Sequence, residues 1–234
     1  MTWNDVFCNT FKALSKKIEP EVKKKLDFML PSMPMVNACR ADDFDFFQPL
    51  IDSGDFTIDQ MFHAAQRYHL GKSKSGLPIF WLIDDLGIVY DGHIGDSWVS
   101  TLLKSRAPLL KYWPVKHCLF GLHLLTYSMP VSIVDSEQTA VILSELCPES
   151  LWMAYCDNSS LTVELMASLQ GHVVTIYPRT DPTMSNYLFF HDYANYVRQT
   201  YPSIDLTVDA TLEENASPDQ KSRCIDLLDF ILDK

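Results

Sequence analysis

From about residue 130 onward the chain alternates short apolar runs with amphipathic stretches. The runs at 131–134, 151–155, 172–177 and 204–208 have the length and β-branched content of buried strands, and the stretches between them carry helical spacing. Repeated β-α alternation predicts a parallel sheet covered by helices. Tyr187, Phe190, Ala194, Val197 and Tyr201 form one helical stripe, which reads as core packing. A further helical region is expected over 218–232.

Upstream the pattern changes. Residues 4–30 read as two helices, with Phe7, Phe11, Leu14 and Ile18 on one stripe and Val22, Leu26, Met29 and Leu30 on the next; Pro31 and Pro34 stop the second. Residues 33–55 carry prolines, aspartates and the apolar group Phe44, Phe46 and Phe47, and read as irregular structure packed on a neighbour. Thr57 and Gln60 make a capping box, with Phe56 and Met61 in the staple positions. That helix is expected to reach about Leu70 and end on a left-handed Gly71. The β-rich runs 78–83 and 88–94 flank Asp84-Asp85-Leu86-Gly87, a hairpin signature. A short helix is expected over 98–103, and 109–125 is aromatic and apolar.

The most informative junction is Val131-Ser132-Ile133-Val134-Asp135-Ser136-Glu137-Gln138-Thr139-Ala140. A buried strand there delivers acidic groups to a helix N-terminus, the corner where open α/β sheets place ligands. Asp135 and Glu137 also fit a plain helix cap and a first-turn partner for the helix dipole.

Composition narrows the classes. The 234 residues carry a formal net charge of −11, which disfavours a stand-alone nucleic-acid binder, though not a subunit of an assembly. The lysines at 16–17 and 23–25 are the densest basic cluster and read as a solvated helix face. The six cysteines include no C-x-x-C pair, which argues against a zinc ribbon or a disulfide scaffold. With no leader and no apolar run long enough for a membrane span, a cytoplasmic protein with reduced thiols is expected. His63 with His69, and His117 and Cys118 with His123, match no zinc spacing and read as ordinary partly buried side chains. Each cysteine reads as a small buried hydrophobe; a helix start beside Cys156-Asp157 is a weak signal of a lowered thiol pKa, with no base in sequence reach to make it a nucleophile.

The runs Tyr68-His69-Leu70-Gly71-Lys72-Ser73-Lys74, Ile79-Phe80-Trp81-Leu82-Ile83-Asp84 and Cys118-Leu119-Phe120-Gly121-Leu122-His123-Leu124-Leu125 accompany the acidic junction. Together with Ile176-Tyr177-Pro178 and the closing Ile225-Asp226-Leu227-Leu228-Asp229-Phe230, they resemble a family of uncharacterised Toprim-like proteins of bacterial mobile elements, related to DNA primases. The resemblance covers about residues 55–234. It implies an α/β fold: a Toprim-like, mostly parallel sheet over 128–234 flanked by helices, and a helix plus β-hairpin region over 55–127; the helical N-terminal segment over 1–54 rests on the residue pattern alone.

The family motif reads Ile-Val-Glu-Ser-Glu-Lys-Thr-Ala. Here its first Glu, the acid or base of catalytic relatives, is Asp135, and its Lys is Gln138. The Asp-x-Asp pair that holds magnesium in catalytic relatives is Arg179-Thr180-Asp181, so a cation replaces the first carboxylate. Opposite unit charges about 4 Å apart interact by about 4 kcal/mol at an effective dielectric of 20. A divalent ion would be repelled by more than that, and Arg179 is free instead to pair with Asp135 or Asp181.

The resemblance therefore implies a pseudoenzyme with weakened or lost metal binding at Asp135 and Asp181, and a binding role for Arg179, Gln138 and Asp157. Its partner would be a nucleic acid or a replication-related protein of the mobile element. The alternatives are an active Mg²⁺-dependent phosphoryl-transfer enzyme of primase or nuclease type using Asp135, Glu137 and Asp181, or an acidic protein-docking module. The oligomeric state is left open.

Overall fold

The computed structural model describes residues 31–106, 117–156 and 161–233. The two helices expected over 4–30, part of the 109–125 stretch, and Asp157 lie outside the described residues.

Elements are numbered over the described chain. Residues 33–55 are more regular than expected. Helix α1 (Met33–Ala38), a 3-10 turn (Asp45–Phe47) and helix α2 (Gln48–Ser53) form there. Phe44 and Phe47 are buried, Phe47 stacking on Phe56 at 5.3 Å. Helix α3 (Ile58–Arg67) starts with the capping box at Thr57 and Gln60.

That helix ends earlier than its pattern suggests. Tyr68 caps it, His69 takes the left-handed turn at φ 52°, and Gly71 opens a strand. The reason is packing: Tyr68 is fully buried and donates its hydroxyl to the Trp152 carbonyl at 2.8 Å, which turns the chain. A Cβ on Gly71 would stand 2.8 Å from Trp81 Nε1, so glycine is required there by close approach rather than by its φ.

Strands β1 (Gly71–Lys72), β2 (Pro78–Ile83), β3 (Val89–Ile94) and β4 (Ser97–Trp98) form an antiparallel sheet in sequence order. The expected hairpin joins β2 to β3, with Gly87 at φ 76° in its turn. Alternate β2 side chains serve two cores: Phe80 and Leu82 join the main one, while Ile79, Trp81 and Ile83 pack with Val36 and Val99. Helix α4 (Val99–Arg106) follows. Its start is held by the fully buried Asp91, which accepts from the Ser100 N–H at 2.9 Å and from its hydroxyl.

The second sheet is parallel, in the order β6-β5-β7-β8, built from β5 (Val131–Val134), β6 (Leu151–Ala154), β7 (Val173–Ile176) and β8 (Asp205–Val208). This is the α/β class read from the sequence. Every residue of β5 is buried, so both sheet faces need cover. Helix α5 (Glu137–Leu146), with α3 and the later α9 against it, supplies one layer. The other comes from helix α6 (Ser185–Thr200) and a 3-10 segment (Val163–Leu169).

The 218–232 region holds two short helices, α8 (Pro218–Ser222) and α9 (Leu227–Leu232), preceded by α7 (Thr211–Asn215). Separate capping boxes at Ser217/Gln220 and Asp226/Asp229 restart the chain, which explains the break. Phe120 pairs with Ala154 beside β6, and one continuous core joins the two sheets through Phe80, Leu82, Phe120 and the parallel strands. Among the described residues no helix is long and apolar enough to cross a membrane.

Candidate functional site

Strand β5 is flanked by β6 and β7, so the chain leaves it to one side and later returns on the other. The carboxyl ends of β5 and β7 thus border the switch point of the sheet, where a crevice forms in open α/β folds. Asp135 follows β5 directly, and Arg179 follows β7 by way of Tyr177 and Pro178.

These two side chains meet. Arg179 Nε–H donates to Asp135 Oδ2 at 2.8 Å, and Arg179 Nη1–H to the Cys224 carbonyl at 3.2 Å. Arg179 thereby ties β7 to both β5 and the loop before α9. Burial works against its charge, yet Asp135, with Asp226 and Asp229 further off, raises the guanidinium pKa above its ordinary value. Behind the pair, the Thr139 hydroxyl donates to Asp226 at 2.5 Å, fastening the first turn of α5 to the cap of α9. Asp135 Oδ1 is buried and has no hydrogen-bond partner among the described residues.

Glu137, the first residue of α5, is 6% exposed and turns to the other sheet, where it accepts from His93 Nδ1–H at 2.5 Å. His93 lies against Trp98 at 4.8 Å, and Trp98 stacks on His117 at 4.1 Å. Cys156 comes next to this group with φ 65° and is no activated thiol. Burial first, and then the Glu137 carboxylate, push its pKa well above the usual range, in keeping with an inert cysteine and against the weaker reading of a nucleophile.

Asp181 does not join the group. Its Oδ1 accepts from the N–H and hydroxyl groups of Thr183 and Ser185, and its Oδ2 from the Asn186 N–H at 2.8 Å, so the carboxylate serves the N-terminus of α6. Burial opposes its ionisation, but those hydrogen bonds prevail and hold the carboxyl far below the usual range. Of the two partners open to Arg179 it is therefore Asp135 that pairs, and the expected grouping of Asp135, Arg179 and Asp181 reduces to the first two. Gln138 is exposed and makes no hydrogen bond among the described residues.

A Mg²⁺ site of the kind the family resemblance implies does not fit these side chains. Magnesium needs near-octahedral oxygen ligands at about 2.1 Å, usually including one or two carboxylates. Asp135 Oδ2 is taken by a fixed cation, Glu137 Oε1 by His93, and both oxygens of Asp181 by α6. Among the described residues no three His, Cys, Asp or Glu side chains are grouped to hold a metal ion.

Compared with known families, residues 45–180 match a domain of unknown function, DUF6371. The chain belongs to the DUF6371 family. The match spans more than half the chain, taking in both sheets up to β7 together with His93, Asp135, Glu137 and Arg179, and it stops one residue before Asp181. No curated protein and no solved structure matches the chain.

Within the DUF6371 region, sequence reasoning missed His93, which sits on a hairpin strand 44 positions from its partner. It also missed the Thr139–Asp226 fastening and the Cys224 carbonyl. One signal was present for Asp226: Asp226 and Asp229 carry the spacing of a capping box, which marks a fixed carboxylate without saying what else it touches.

Proposed function

We propose that this DUF6371 protein is a Toprim-like scaffold without divalent-ion chemistry, and that it acts by binding rather than by catalysis. Its setting would be the replication or mobilisation of a bacterial mobile element. The observation that carries the reading is the 2.8 Å pair between Arg179 and Asp135. It lies across the ends of β5 and β7, where a metal-dependent relative would set two carboxylates. A guanidinium there neutralises Asp135 permanently, needs no ion, and locks the strand ends in one geometry.

Calorimetry with Mg²⁺ and Mn²⁺ tests the reading. The native chain is expected to give no binding heat, whereas Arg179→Asp gains measurable affinity for Mn²⁺, which Asp135→Ala in the same background abolishes. Saturable Mg²⁺ binding by the native chain that disappears in Asp135→Ala would overturn the proposal. It would favour the active phosphoryl-transfer reading, for which the buried, unpartnered Asp135 Oδ1 is the supporting observation.

The partner class, a nucleic acid or a replication-related protein, is read from anisotropy with labelled single-stranded and duplex DNA alongside affinity capture. The net charge of −11 favours the protein.

A further inference from the structure

A second site lies away from the Asp135–Arg179 pair and shares no residue with it. Between the hairpin sheet and the 3-10 segment is a cleft of about 440 Å³ lined by Asp84, Tyr90, His117, Cys118, Leu122, Thr162, Glu164, Leu165 and Ser168. Two of these side chains are carboxylates. No lysine or arginine is among the described lining residues.

Among the described residues the carboxylates have neutral hydrogen-bond donors. Asp84 is 6% exposed; its Oδ1 accepts from the N–H groups of Ile88 at 2.7 Å and Leu86 at 3.0 Å, which fixes it in the hairpin turn. Tyr90 lines the cleft beside Asp84. Burial, and next the charge of Asp84, push its phenol up to about 12, so it remains a neutral donor. Burial, then Asp84 and Asp85, likewise raise the Cys118 thiol and keep it neutral. On the opposite wall Glu164 is exposed, and its own backbone N–H and the Thr162 hydroxyl lower its pKa, so it is ionised at neutral pH. Leu122, Leu165 and the ring of His117, which is backed by Trp98, supply apolar wall between them.

We infer that this cleft binds an organic cation, the guanidinium or ammonium group of a basic side chain presented by a protein partner. A carboxylate at each wall and an apolar middle suit a charged head on a methylene stem. The volume takes one such side chain with its flanking backbone. Phosphate groups are repelled, which removes nucleotides and nucleic acid from the candidates. A bare metal ion is poorly served, because the hairpin turn already occupies one Asp84 oxygen. The overall negative charge steers basic segments towards the protein.

Fluorescence anisotropy of a labelled Gly-Arg-Arg-Gly peptide with the full chain tests this, against a citrulline version and with spermidine as competitor. The arginine peptide is expected to bind saturably and the citrulline peptide to fail. Glu164→Gln should weaken binding roughly tenfold, the scale of one charged hydrogen bond, and Ser168→Trp should abolish it by filling the cleft. Glu164 and Ser168 are exposed, so both variants keep the fold. Glu214→Gln, on a distant exposed acid, should change nothing.

Equal loss in Glu214→Gln, equal binding of the citrulline peptide, or no binding of either peptide would each overturn the inference. Saturable spermidine binding without peptide binding would overturn the protein source and assign the site to a free polyamine.

Discussion

The rim over β5 and β7 and the cleft beside the hairpin treat negative charge in opposite ways. On the rim, Asp135 is paired with the guanidinium of Arg179 and Glu137 with the ring of His93, while Asp181 stands apart from them and caps α6. In the cleft, Asp84 and Glu164 are fixed in place by dipoles and hydroxyls but meet no lysine or arginine among the described residues. A satisfied ion pair holds strands together and offers little to a visitor. A fixed carboxylate without a counter-ion offers much to a cationic one, since its orientation cost is already met. The rim therefore reads as structure and the cleft as the surface for recognition.

Removing one half of the rim pair should have the largest effect. Arg179→Leu leaves Asp135, 18% exposed at its side chain, without its cation. Breaking a fully buried pair costs about 3–5 kcal/mol, and the 40% exposure of Arg179 reduces this to about 2 kcal/mol by solvent screening. Urea midpoints should show that loss, and Asp135→Asn combined with Arg179→Leu should recover much of it. If the double variant is no better than Arg179→Leu alone, the pair is a surface contact and the contrast between rim and cleft fails.

Asp181, set apart from the rim pair, tests whether its carboxylate is purely structural. Asp181→Ala strips the start of the 16-residue helix α6 of its acceptor, and losing such a cap costs about 1 kcal/mol. Divalent-ion binding should not change.

Acid titration separates the contributions further. His123 is held down to about 4 by burial, only partly offset by its hydrogen bond to the Arg67 carbonyl, whereas in the unfolded chain it titrates near 6.5. The unfolded state takes up the proton first, so stability falls as pH drops from about 6.5 to about 4. Asp181 has the depressed carboxyl, so its contribution is complete above the ordinary aspartate value near 3.9 and disappears as pH falls below it. His123→Gln should flatten the upper limb of the stability curve, and Asp181→Asn the lower.

What the sequence disclosed and what it hid divide by range. The capping box at Thr57, the turn at Gly87 and the four apolar runs of the parallel sheet depend on neighbours within a few positions, and all were legible. The Gly71 strand start depends on Trp81, and the early end of α3 depends on where Tyr68 finds the Trp152 carbonyl, 84 positions away. The Asp135–Arg179 pair was open to inference because opposite charges follow two strands of one sheet, whose carboxyl ends must converge. His93 lies on the hairpin sheet and Glu137 opens the helix that follows β5, and no local pattern states how these two units face each other. The cleft lies between the hairpin sheet and the 3-10 segment, far apart in sequence, and was hidden for the same reason.

The smallest expected effect is on stability, at Glu164. Its carboxylate is exposed, so Glu164→Gln should leave the urea midpoint at pH 7 unchanged within error. This null result is informative because the same substitution is expected to weaken the arginine peptide. A residue that stabilises nothing and still sets affinity belongs to the recognition surface, whereas Arg179 should show the reverse, costing stability when removed while leaving the peptide bound. A midpoint that shifts as far in Glu164→Gln as in Arg179→Leu would mean that the cleft carboxylate carries a structural load like those on the rim, and the division of labour between the two regions would fail.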